Sequence, residues 1–131
     1  MRRVPLAALA AAAISVVGNS VLFLVGRATG AIGAEVALPN GQVFGLVPVI
    51  SVTVTAAIGA AVVYAILGAV ERLVRRPITV FRIIAVLLLL GSLVTPFGIA
   101  GAGTGMVILL NLMHVVTAAA NVWALTTLAR R

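Results

Sequence analysis

Residues 46–97 read LVPVISVTVTAAIGAAVVYAILGAVERLVRRPITVFRIIAVLLLLGSLVTPF. Two apolar runs, 46–70 and 77–97, flank one short charged segment, Glu71 to Arg76. Each run matches the roughly 20 residues that a helix needs to cross the hydrocarbon of a bilayer. The stretch therefore predicts two membrane-spanning helices joined by a turn in water. Pro77 suits the first turn of the second helix, because the amides there have no intrahelical acceptor to lose.

Two further runs of the same kind lie outside this pair, Pro5 to Gly26 and Gly105 to Leu128. The expected fold is all-α: one integral membrane four-helix bundle over residues 1–131, with helices at about 5–26, 46–70, 77–97 and 105–128. Composition agrees, with 63% of the 131 residues hydrophobic and 8% charged, where a soluble domain has roughly a quarter charged. A soluble domain of this size must cover a large surface with polar side chains, and this chain lacks them.

The formal charge of +7 sets nine Lys+Arg residues against two acidic ones, and all nine are arginine: Arg2, Arg3, Arg27, Arg72, Arg75, Arg76, Arg82, Arg130 and Arg131. Four crossings put both termini and the 71–76 turn on one face, so Arg27 alone falls on the other. By the positive-inside rule the arginine-rich face is cytoplasmic, and the expected location is the bacterial cytoplasmic (inner) membrane. Arg72, Arg75, Arg76 and Arg82 are then interface anchors to anionic lipid headgroups, with Arg82 snorkelling back from the third helix. Trp123 and Tyr64 fall near the inner helix ends, where an amphipathic ring meets the headgroups. Without a basic patch interleaved with aromatics, nucleic acid is not an expected partner. A cleaved secretory signal at the N-terminus is the competing reading of the first run; at about 20 residues the run is long for a signal core, and its Ala-x-Ala triplets come too early for a cleavage site.

On the outer side, Pro39-Asn40-Gly41 between two short runs reads as a small hairpin, serving either as a lid or docking loop or as a packed connector. Within the bundle, lipid provides no hydrophobic drive for helices to meet, so contacts are expected at small residues. These are Ala8, Ala12, Ser15, Asn19 and Gly26 in the first helix; in the second they are Ser51, Thr55 and Gly59 on one face and Ala57, Ala61 and Ala65 on another. The third helix, with Ile83, Ile84 and Leu87 to Leu90, is expected to be the most lipid-exposed.

Asn111, His114, Ala118 and Asn121 recur at three- and four-residue spacing, a stripe that must face protein rather than lipid. Counting about 1.5 Å per residue from the outer helix ends puts Asn19, Ser51, Thr55, Ser92, Asn111 and His114 at comparable depth. Such a layer serves either as hydrogen-bonded glue that fixes helix register or as a polar cavity with His114 as its titratable member. With one histidine, no cysteine and no lysine, the chain has no multi-histidine metal site, thiolate site or Schiff base. Enzymatic catalysis and a bound cofactor are not expected. A quinone or other lipophilic ligand held by His114 and Asn111 needs only one or two polar groups in an apolar pocket.

Arg76-Pro77, Phe81-Arg82 with the leucine-rich run to Ser92 and Pro96, Met113-His114, and the closing Ala129-Arg130-Arg131 resemble a family of small four-helix bacterial membrane proteins known only as a domain of unknown function. The resemblance covers nearly the whole chain. It implies the four-helix fold and a Met-His or Thr-His pair in the last helix, matched by Met113 and His114. Members often carry an acidic residue just after the proline closing the third helix, and this chain departs from that pattern with Phe97-Gly98. The family implies no activity, cofactor or substrate. Two functional readings follow from the sequence: a non-catalytic accessory or scaffold subunit of a larger membrane assembly, or a small homo-oligomeric transporter, channel or lipophile binder using the polar layer around His114.

Overall fold

The computed structural model describes residues 3–129. Four α-helices follow in order, α1 (Val4–Ala28), α2 (Leu46–Ala69), α3 (Pro77–Ser92) and α4 (Thr104–Thr127), with a 3₁₀ turn at Thr95–Gly98. Four spans, the third being Pro77–Gly98, are long and apolar enough to cross a membrane, with mean hydropathy from 1.7 to 2.4. Arg2, Arg130 and Arg131 lie outside the described residues.

Two apolar clusters show how the helices run. One joins Phe23 late in α1 to Val49 early in α2 and Met106 early in α4. The other joins Ala7 early in α1 to Tyr64 and Leu67 late in α2, Phe81 early in α3 and Leu125 late in α4. Consecutive helices are therefore antiparallel, an up-down-up-down bundle. Residues 70–76 and both described ends of the chain lie at one end, and the connections 29–45 and 99–103 at the other.

Helix α1 packs against both α2 and α4 through a ridge of Ala7, Ala11, Ser15, Asn19, Phe23 and Gly26. The expected Ala8 and Ala12 are only half-buried, a correction of one residue. Phe23, edge-on to Phe44 at 5.7 Å, anchors the ridge, and four-residue steps back from it reach Ala11 and Ala7. On α2 the buried face is Val49, Thr53 and Ala57, whereas Ser51, Thr55 and Gly59 are exposed. The outward position of Ser51 and Thr55 is tolerated, since their hydroxyls donate to carbonyls of their own helix, Pro48 O at 3.1 Å and Ser51 O at 2.8 Å. A hydroxyl satisfied in this way needs no partner helix.

The third span breaks at a proline. Pro96 has no N–H to offer the carbonyl of Ser92, and the Thr95 hydroxyl donates to that oxygen instead, at 2.7 Å. Helix α3 thus ends at Ser92, short of the expected 97, and a 3₁₀ turn completes the span. It is also the least buried span, with 6% of its most apolar window inside the protein.

The hairpin forms as a single antiparallel bridge between Ala37 and Val43. Gly41 N–H donates to Leu38 O at 2.9 Å, and Gly41 takes φ +81 after the Pro39-Asn40 corner. A tight corner followed by a left-handed glycine is the usual three-residue hairpin loop, and residues other than Gly and Asn rarely take that φ. The loop is packed, since Ile32, Val36 and Phe44 are buried in the core.

Arg27 clamps this loop. Its guanidinium donates to Gly33 O at 2.9 Å and Phe44 O at 3.2 Å and lies 5.3 Å from the centre of the Phe23 ring. A lysine at 27 keeps the charge but loses the planar fork. Arg27→Lys is therefore expected to speed amide exchange at Val36–Phe44 by about tenfold, as read by hydrogen–deuterium exchange. Unchanged exchange there would show that the clamp contributes nothing.

Candidate functional site: a groove between α2, α3 and α4

Beside the tight α1 contacts, α3 is held at a distance. Near its start Phe81 packs edge-on against Tyr64 of α2, with ring centres 5.2 Å apart. Tyr64 is thus a helix-to-helix contact as well as a residue near a helix end. Beyond that pair a groove of about 680 Å³ opens between α2, α3 and α4, with Asn19 of α1 on its wall. It exists because the facing residues of α2 and α4 include Ala56, Gly59, Ala60 and Ala118, too small to fill the gap to Ile84 and Leu88 of α3. Leu38, Pro39 and Phe44 of the hairpin border its loop end.

One polar network crosses the wall. The Asn19 carboxamide donates through Nδ2 to Thr53 Oγ1 of α2 at 3.0 Å and to Thr117 Oγ1 of α4 at 2.9 Å. Thr53 and Thr117 spend their own protons on Val49 O at 2.6 Å and Met113 O at 2.9 Å, so toward Asn19 they can only accept. That fixes the amide orientation chemically. Asn121 Nδ2 donates to Thr117 O at 2.8 Å, and His114 Nδ1 pairs with Leu110 O at 2.7 Å. A carbonyl only accepts, so Nδ1 carries a proton, and in the uncharged ring the lone pair is on Nε2. The carboxamide oxygens of Asn19 and Asn121 have no partner among the described residues.

Of the six residues expected in one polar layer, Asn19, Ser92 and His114 line this groove. Ser51 and Thr55 do not, being on the exposed face of α2. Asn111 is half-buried, does not border the groove, and leaves its Oδ1 without a partner. The layer is not assembled as expected because a two-residue step on a helix turns about 200°, which separates Thr53 from both Ser51 and Thr55. Thr53, Thr95 and Thr117 are the polar groove residues that the sequence reading missed. Thr117 had a signal, lying three residues after His114 and four before Asn121 on the same stripe. Thr53 had none, since Ser51, Thr53 and Thr55 look alike until a partner selects one.

The expected anchors Arg72, Arg75, Arg76 and Arg82 are exposed at the end of the bundle that carries the 70–76 connection, and Trp123 is half-exposed toward the same end of α4. Among the described residues no group of three His, Asp or Glu side chains could hold a metal ion.

Four apolar spans packed into one bundle, with an interhelical groove, define a small multi-pass helical membrane protein. The chain belongs to the family of unknown function DUF6069, whose model matches residues 1–131. No curated protein and no solved structure matches it.

Proposed function

We propose that this protein is a non-catalytic membrane protein that holds a long apolar molecule with a small polar head in the groove between α2, α3 and α4. The observation that carries this reading is the groove itself, about 680 Å³ with an almost wholly apolar wall and the polar side chains of His114, Thr117 and Asn121 along one helix. Ligand sites are commonly clefts of roughly 300–1,000 Å³ with a few placed polar groups. Ala118→Trp puts an indole into the groove. Protein extracted from membranes in mild detergent is expected to carry a lipophilic adduct by native mass spectrometry, and the tryptophan variant is expected to lose it. A parent protein free of any adduct, also after incubation with total membrane lipid, would refute the reading.

The exposed arginines support an orientation with both termini in the cytoplasm of a bacterium, against anionic headgroups of the inner membrane. Arg3, Arg72, Arg75, Arg76 and Arg82 are at the terminal end, whereas Arg27 at the other end bonds to loop carbonyls. A reporter active only in the cytoplasm should work after Arg131 and fail near Asn40; the reverse result would overturn the orientation.

A role as an accessory subunit is favoured by one further feature. On the opposite side of α2, Ala8 and Ala12 of α1 and Ala61 and Ala65 of α2 border a second, open groove of about 540 Å³. Small residues of this kind let a partner helix approach closely. Purification of the native-source complex would identify such a partner, and recovery of this chain alone would count against one.

A further inference from the structure

The polar atoms on the groove wall are unequal in kind. Every hydroxyl proton there is already donated to a backbone carbonyl: Thr53 to Val49 O, Thr117 to Met113 O, Ser92 to Leu89 O and Thr95 to Ser92 O. Both amide hydrogens of Asn19 go to Thr53 and Thr117, one of Asn121 goes to Thr117 O, and the imidazole proton goes to Leu110 O. What remains is nearly all acceptor: Nε2 of His114 and the carboxamide oxygens of Asn19 and Asn121, with one amide hydrogen of Asn121 as the exception. Asn19 and Asn121 are 3% and 5% exposed, and their Oδ1 atoms have no partner. Those two oxygens are closed off from water, whereas His114 Nε2 is not closed off in this way, so the imidazole is the acceptor that a head group in the groove meets first.

Resting on the lipophile-binding reading, we infer that the groove selects an uncharged molecule whose head donates a hydrogen bond, a hydroxyl-bearing lipophile such as a long-chain or isoprenoid alcohol. A head that only accepts, such as an ether, ester or ketone, meets acceptor with acceptor. An anionic head finds no cation among the lining side chains, and an ammonium finds no carboxylate there. Either charge would enter the apolar groove uncompensated. His114 and Asn121 lie seven residues apart on α4, two turns along the same face, so one rigid element carries both of these groove-lining side chains.

The test compares farnesol with farnesyl methyl ether, which share the chain and differ in the hydroxyl proton. Dissociation constants come from ligand-dependent thermal stabilisation of the full chain in detergent, with Ala118→Trp as the filled-groove control. The alcohol is expected to bind about tenfold more tightly than the ether. His114→Leu and Asn121→Leu together are expected to abolish that preference, while His114→Gln, whose side-chain carbonyl still accepts, retains most of it. Equal affinities in the parent protein would overturn the donor rule and leave the lipophile-binding reading standing. Binding of neither compound, or equal binding to the filled-groove variant, would overturn both. A preference for the alcohol that survives the double leucine variant would overturn the assignment to these two side chains, and the comparison in the parent needs no variant to fold.

Discussion

Gly26→Leu is expected to destabilise the bundle by about 3 kcal/mol, the upper end of what overpacking usually costs. A Cβ built on Gly26 would lie 2.7 Å from Leu109 Cδ1 of α4 and 2.7 Å from Ile32 Cγ1, with Ile32 Cδ1 nearer still. Ile32 is 2% exposed and cannot swing away into solvent, and its amide donates to Gly26 O at 3.0 Å. A leucine must therefore push α4 from α1 and lift the loop that folds back on the helix end. Gly91 provides the control, because a Cβ there meets nothing within 4 Å. Gly91→Leu should stay within about 0.5 kcal/mol of the parent, the range usual for an unconstrained surface position. Unfolding in mixed detergent, followed by circular dichroism, measures both. A Gly26→Leu protein as stable as the parent would mean that α1 and α4 are not closely apposed at this level.

Asn19→Leu is the second large effect, at about 1–3 kcal/mol. One side chain holds three helices, since its Nδ2 bonds to Thr53 of α2 and Thr117 of α4. Interhelical hydrogen bonds in membranes average about 0.6 kcal/mol and reach about 1.7, so two bonds and the packing of a leucine near Thr53 and Thr117 give that range. The two threonines keep their bonds to Val49 O and Met113 O, which prevents a larger loss. Thr53→Val and Thr117→Val should each cost less in the Asn19→Leu background than in the parent, a coupling of about 0.5 kcal/mol or more. Strict additivity in the double-mutant cycles would show that these bonds contribute nothing to the association of the helices.

What could be read from the residues alone was the set of properties that bilayer physics imposes locally. A helix in hydrocarbon satisfies its own backbone, so a span needs only about 20 apolar residues, and all four spans are legible without any partner. Local chemistry likewise predicts the hairpin corner at Pro39-Asn40-Gly41, because Gly41 supplies the left-handed φ where the chain turns. Which side of each helix meets its neighbours was legible only in part: Ser15, Asn19 and Gly26 of α1 are buried as expected, whereas on α2 the buried residue is Thr53 and not Ser51 or Thr55. These helices are apolar nearly all round, so no polar stripe marks the outside, and a lipid-facing Thr55 hides its hydroxyl in its own backbone as easily as a buried Thr53 does. Asn19 selects Thr53 over Ser51 and Thr55 only when α1 and α2 come together, and the Phe23–Phe44 contact sets α1 in the Ala7-Ala11 register. The groove is decided later still. It arises from the mismatch between small residues on α2 and α4 and the stand-off of α3, a volume that no single segment encodes and that exists only between packed surfaces.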